Sequence, residues 1–309
     1  MTTIYYDDAY VGTGTDFDTT RKSKDIAKLI IQQAWVDIEL AEPDKISLSY
    51  AEGLILKMLD SEYANALATG EPRNLAESNG FAWDKGIWDM AVHSTAGVLN
   101  ATHSAMAGGL NHRIHGSLSS GLHHATPYAG EGFCTVNGLA LAAYFARHYL
   151  GLTGKVFILD FDAHCGGGTM QFLNEFDMNW VEQYDVSTSP FDFYKPTSPD
   201  ELIIVDKAED YLPTITDLLN RVNFDNCGLV LYNAGVDPHP WIDFDTLAER
   251  EQIVFDHLRG LGIPTAFVLA GGYTASGYSR NSLAHAHLNT ILAANGDPAV
   301  GNPDLTLTR

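Results

Sequence analysis

The chain has 309 residues, 45% of them hydrophobic, which is ample for a large core and speaks against intrinsic disorder. Its 39 acidic residues outnumber 18 basic ones, for a formal net charge of −21; such a surface repels nucleic acid and acidic membranes and attracts cations. Electrostatic steering of a cationic substrate and a solubility or high-salt adaptation both account for it, and charge alone does not choose between them.

The opening MTTIYYDDAY has neither the basic start nor the apolar stretch of a secretory signal. No run approaches the ~18 apolar residues of a spanning helix. Three cysteines, Cys134, Cys165 and Cys227, lack paired spacing, so a reducing cytoplasm is expected.

Taken in order, helical spacing covers 23–40 and 86–107. A short run at 117–120 then leads into Gly121-Leu122-His123-His124-Ala125 and Gly132-Phe133-Cys134. A helix is expected over 137–149. Next come two short apolar, β-rich runs, KVFILDFD (155–162) and ELIIVD (201–206), and a third, GLVLYNAG (228–235). A helix over 244–261, a strand PTAFVLAG (264–271) and a helix over 278–294 complete the pattern. Continuous apolar strands separated by helices predict a mainly parallel sheet covered on both faces, one doubly wound α/β domain over 1–309. Right-handed crossovers would place the strand C-termini along one edge, where the loops hold ligands.

The chemistry-bearing residues follow these strands. KVFIL runs into Asp160-Phe161-Asp162-Ala163-His164-Cys165-Gly166-Gly167-Gly168-Thr169. Asp162 and His164 are two apart, so at a strand end they point to the same side, and a carboxylate with an imidazole suits zinc. Asp160, one step earlier on that side, is a candidate acceptor behind a ligand. After GLVLYNAG comes Asp237, a third candidate ligand on the same edge. Two carboxylates and one imidazole leave coordination positions open, as a catalytic zinc requires. His239, beside Pro238, reads as a loop residue. Lone histidines such as His93 or His257 are usually structural, but the adjacent pair His123-His124 before a glycine-rich turn is suited to acid–base work. In Ala270-Gly271-Gly272-Tyr273 two glycines permit a tight bend that brings a tyrosine hydroxyl towards the same edge, where it would donate to an oxyanion.

Together and in this order these motifs resemble those of the histone deacetylase family, over roughly 86–273, with a weaker match at Asp60-Ser61-Glu62-Tyr63. The resemblance implies an arginase-like α/β fold and a zinc-dependent amidohydrolase that removes an acyl group from an amine through metal-activated water. By similarity Asp162, His164 and Asp237 are the zinc ligands, with ferrous iron as an alternative metal. His124 is the general base and acid, His123 its electrostatic partner paired with Asp160, and Tyr273 the oxyanion donor. Gly132 and Phe133 would line the tunnel for the alkyl chain of an acyl-lysine or acetylpolyamine, with Phe193 or Tyr194 opposite. A potassium or sodium site would use Asp160, Asp162 and His164 with Ser187 and Thr188.

Three positions depart from the family. Gly167 stands where an Asp or Asn usually orients the second histidine, which predicts that His124 lacks that support. The loop Glu77-Ser78-Asn79-Gly80-Phe81 has no aspartate of the kind that eukaryotic members use to grip a peptide backbone. Thr19-Thr20-Arg21-Lys22 replaces a His-Pro-Glu-Arg type sequence. The last two suggest a bacterial-type member whose substrate need not be a protein. Two other readings are a dimanganese ureohydrolase, for which Cys165-Gly166-Gly167 and Asp237-Pro238-His239 lack the further aspartates, and a pseudoenzyme that binds an acylated amine or metal without turnover.

Overall fold

The computed structural model describes residues 1–12, 18–33, 37–109, 113–120, 122–274 and 277–306; Gly121 of the double-histidine motif lies outside them. Eight strands, β1 (Thr2–Tyr5), β2 (Ile38–Ala41), β3 (Ile114–Ser117), β4 (Lys155–Asp160), β5 (Val181–Ser187), β6 (Glu201–Ile204), β7 (Cys227–Gly235) and β8 (Thr265–Ala270), form one sheet. Their order is β2-β1-β3-β8-β7-β4-β5-β6, and every pairing is parallel. The doubly wound α/β architecture read from the apolar runs is the one observed.

Alternation along the central strands explains why those runs are continuous. Val156 and Ile158 of β4, Leu229 and Leu231 of β7, and Val268 of β8 join the core under the helices Lys45–Met58, Gly86–Ala107 and Gly138–His148. The intervening Phe157, Leu159, Val230, Tyr232, Phe267 and Leu269 join the opposite core, under Asp18–Gln33, Phe244–Leu261 and Arg280–Asn295. Each face buries side chains worth about 1.5–3 kcal/mol apiece.

The helix expected over 23–40 is corrected. The helix spans Asp18–Gln33, and Ile38–Ala41 is β2, in register with β1 from Thr2↔Ile38 to Tyr5↔Ala41. Ile38-Glu39-Leu40 has a strand's period of two, which extends the apolar spacing of the helix before it. β5 has no apolar signature, because Glu182, Gln183, Asp185 and Ser187 are all buried in it. Partners make this possible for the first three. Glu182 pairs with Lys155 and accepts from Tyr184, and Asp185 accepts from the Gly166 N–H at 2.8 Å and from Gln183.

From β4 the chain winds outward through β5 to β6, then returns to the other side of β4 with β7 and β8. The sheet therefore changes winding direction between β4 and β7, where open α/β sheets bind ligands beyond the strand C-termini. Arg250, fully buried, ties those two strand ends together. Its Nη1 donates to Phe161 O (2.9 Å), Gly235 O (2.7 Å) and Tyr211 Oη (2.9 Å), and its Nη2 pairs with Glu251. Arg250→Met is expected to leave the Glu251 carboxylate buried without its cation and to lower unfolding free energy by about 3–5 kcal/mol, read from the urea midpoint. An unchanged midpoint would show that the pair carries no net stability. Among the described residues no helix is long and apolar enough to cross a membrane.

Candidate active site

The turns after β4 and β7 bring Asp162, His164 and Asp237 together, with one ligand atom of each within 4.8 Å of the others. Among the described residues this is the only group of three or more His, Cys, Asp or Glu side chains so arranged. His164 Nδ1 lies 3.2 Å from Asp162 Oδ1 and 3.6 Å from Asp237 Oδ2. Asp162 is buried, and its Oδ2 has no hydrogen-bond partner, a costly state for a carboxylate oxygen. Burial and the neighbouring Asp162 charge push Asp237 up to about 6. Burial also disfavours the Asp162 charge, but His164 and His123 outweigh it and hold Asp162 well below the usual carboxylate range. A divalent cation would satisfy the orphaned oxygen and relieve the repulsion between the two carboxylates, so these residues fit a metal ion.

The Gly271-Gly272 turn shapes the third corner. Gly272 N–H donates to Asp237 Oδ1. Gly271 has φ +58°, and a Cβ there would lie 2.3 Å from the Asp237 carboxyl carbon, so both conformation and space require glycine. Beneath this turn Lys22, buried in the helix Asp18–Gln33, donates from Nζ to Gly271 O and to Ser120 Oγ (2.8 Å). Burial pulls Lys22 down to about 7 against the opposing pull of Asp237 and Asp162. Sequence reading marked Lys22 only as part of a departure. Its signal was a lysine at four-residue spacing from Ile26 and Ile30, on the stripe that the helix buries.

The two histidines share one wall. His123 O accepts the Thr169 N–H at 2.9 Å, which pins the turn to the start of the helix Gly167–Glu175. The imidazole centroids are 3.9 Å apart. His123 Nδ1 lies 2.8 Å from Asp160 Oδ2, and Asp160 Oδ1 accepts from Asn233 Nδ2 at 2.9 Å; Asn233 was not singled out from the sequence. Burial lowers the proton affinity of His123, but Asp160, Asp162 and Asp185 overcome it and raise its pKa to about 10. His124 moves the other way, lowered by burial and by the His123 charge. The expectation that Gly167 leaves His124 without a carboxylate is overturned. His124 Nδ1 lies 2.8 Å from Oδ2 of Asp192, a residue from the loop after β5.

These groups open into a cavity of about 250 Å³ lined by His123, His124, Asp162, His164, Asp237 and Tyr273, with Gly132, Phe133 and Phe191 among its other walls. Phe191, not Phe193 or Tyr194, stands edge-on to His124 (centroids 5.0 Å) and to His164 (5.5 Å). Phe193 is 60% exposed and Tyr194 is buried in the core. Phe191 is placed there by its backbone: its O accepts the Cys165 N–H at 3.0 Å, which docks this loop position over the turn that carries Asp162 and His164. On the other wall Phe133 donates its N–H to Asn79 O (2.9 Å) and lies 5.5 Å from the Phe81 ring. The 77–81 loop thus supports the cavity from behind. Asp60 caps the helix Ser61–Thr69 through Glu62 N (2.9 Å), a structural use of that motif. His239 stacks on Tyr278 at 3.7 Å and lies outside the cavity lining. Ser187 Oγ is buried without a hydrogen-bond partner, and the Thr188 N–H donates to Ala163 O at 2.9 Å.

Comparison with known proteins points to one family. Residues 22–195 match the model of the histone deacetylase domain, more than half of the chain. An uncharacterized protein of Picosynechococcus sp. is 28% identical over 243 residues, 73% of this chain and 78% of that one. Histone deacetylase 2 of Arabidopsis thaliana is 30% identical over 173 residues, 52% of this chain and 44% of the relative. The acetoin utilization protein AcuC of Staphylococcus aureus is 40% identical over 74 residues, 24% of this chain and 18% of AcuC. The chain therefore spans less than half of the latter two.

Proposed function

Because this chain belongs to the histone deacetylase family, we propose that it is a deacetylase that hydrolyses the amide of an N-acylated amine, with zinc held by Asp162, His164 and Asp237. The observation that carries this reading is the single cavity shared by a metal-ligand triad, two histidines shifted in opposite directions and Tyr273. Zinc, when bound there, supplies Lewis acidity that polarises an acyl carbonyl and makes water a nucleophile near neutral pH.

His124, the histidine with lowered proton affinity, takes a proton from the attacking water and returns it to the leaving amine. His123, held charged beside Asp160, adds positive potential opposite the developing oxyanion, and the Tyr273 hydroxyl donates to that oxygen. Gly132, Phe133 and Phe191 would line the passage for the substrate's alkyl chain. The orphaned Ser187 Oγ supports a potassium or sodium ion among Ser187, Thr188, Asp160, Asp162 and His164. A surface of net charge −21 favours acylated amines that keep a positive charge elsewhere, such as an acetylpolyamine or an acetyl-lysine in a basic peptide. The cysteines, all free, support a cytoplasmic location.

The test is a panel of acetyl-lysine peptides, acetylpolyamines and longer acyl-lysines offered to purified protein. Release of the free acid from at least one class is expected, and metal binding without release from any would instead indicate a binding protein. Tyr273→Phe should keep the metal and KM but lower kcat on the order of 10²–10³-fold, the usual effect of one lost oxyanion donor. An unchanged kcat would reduce Tyr273 to packing.

A further inference from the structure

The loop that follows β5 is built onto the metal-ligand turn by its backbone. Thr188 and Ser189 N–H groups both donate to Ala163 O (2.9 and 2.8 Å), and Cys165 N–H donates to Phe191 O (3.0 Å). The chain then takes a left-handed conformation at Asp192, φ +57°, which a side chain adopts rarely and Asp more readily than most. This aims Asp192 back into the site. Its Oδ2 lies 2.8 Å from His124 Nδ1 and accepts the Gly168 N–H at 3.0 Å. A carboxylate oxygen paired to both groups fixes its own rotamer, and it can only accept from a neutral imidazole. Nδ1 therefore carries the proton, and Nε2 is left as the acceptor.

Gly167 explains how the carboxylate fits. It begins the helix Gly167–Glu175, and its φ is not left-handed. The requirement is space, since a Cβ at 167 would lie 2.2 Å from Asp192 Oδ1 and 2.4 Å from Asp192 O. The side chain missing at 167 and the carboxylate arriving from 192 are one arrangement.

We propose that Asp192 is the positioning residue of His124, holding its ring in the Nδ1–H tautomer from the β5 loop, with Gly167 keeping the seat of that carboxylate clear. The role in turnover rests on the deacetylase reading above; the tautomer does not. The experiment uses the full-length zinc-loaded protein, Asp192→Ala and Asp192→Asn. It measures kcat, KM and metal content with an acetyl-lysine peptide or acetylpolyamine that the wild type hydrolyses, and the His124 tautomer by long-range ¹H–¹⁵N NMR correlation. Asp192→Ala is expected to keep its metal and KM, to lose about 10–100-fold in kcat, and to lose the Nδ1–H signature. Asp192→Asn retains an oxygen acceptor and should restore most of that loss. Wild-type kcat in Asp192→Ala, or an Nε2–H tautomer in the wild type, would overturn the proposal. If the wild type hydrolyses no acylated amine, the deacetylase reading fails and the spectrum alone decides. An Nδ1–H signature that disappears in Asp192→Ala upholds the positioning role, and one that persists rejects it.

Discussion

Replacing Asp162 or Asp237 by alanine is expected to remove the bound metal and the hydrolytic activity together while the chain remains folded. Each substitution deletes one of the three proposed protein ligands, and three is already the minimum for a catalytic zinc centre with an open position. Among the described residues no neighbour stands ready to replace either one, because His239 is stacked on Tyr278 and Asp160 is engaged by His123 and Asn233. The fold should persist. Both aspartates lie beyond the strands, and Arg250 ties the strand ends through the carbonyls of Phe161 and Gly235, which alanine leaves in place. Removing either carboxylate also ends the mutual repulsion that raises Asp237. Metal analysis, circular dichroism and turnover on the same samples check this. Full metal occupancy in both variants would reject the three-ligand site.

His124→Ala should be the next most damaging change, lowering kcat on the order of 10²–10⁴-fold, the range for a general acid–base group, with metal retained. The two histidines of the pair shift in opposite directions. His123 is raised to about 10 by three surrounding carboxylates that outweigh its burial, so at neutral pH it is charged and cannot accept a further proton. His124 is lowered by burial and by that charge, so it is neutral and can. Two chemically identical side chains are thereby separated into one that holds charge and one that is free to take a proton. Zinc content and kcat measured on His124→Ala decide the matter. A kcat equal to wild type would move the proton-transfer role to another group.

Much of the architecture was legible because the central strands are buried on both faces. VFIL, LVLY and AFVLA are apolar runs, and the residues carrying the chemistry begin where that apolarity stops. The helices 86–107 and 244–261 were readable from their spacing and coincide with Gly86–Ala107 and Phe244–Leu261. β5 was not readable, since its buried Glu182, Gln183 and Asp185 are compensated by partners from other elements. Asp192 and Phe191 were missed for a related reason. Their positions depend on how a loop docks, through Ala163 O and Cys165 N–H, and no periodicity encodes that. Gly167 has two meanings. Read along the chain it is a lost carboxylate; in the fold it is the space that admits Asp192. Gly167→Ala would bring a Cβ into collision with the Asp192 side chain and backbone alike.

The most direct test of a metal-dependent acyl-amine hydrolase is a zinc titration of chelator-stripped protein, following acid release from an acetyl-lysine peptide and an acetylpolyamine, with Asp237→Ala in parallel. Activity rising in proportion to bound zinc and levelling at one catalytic ion per chain, absent from Asp237→Ala, is the predicted result. Equal turnover by the stripped protein, or a saturated site that releases acid from neither substrate, would contradict it.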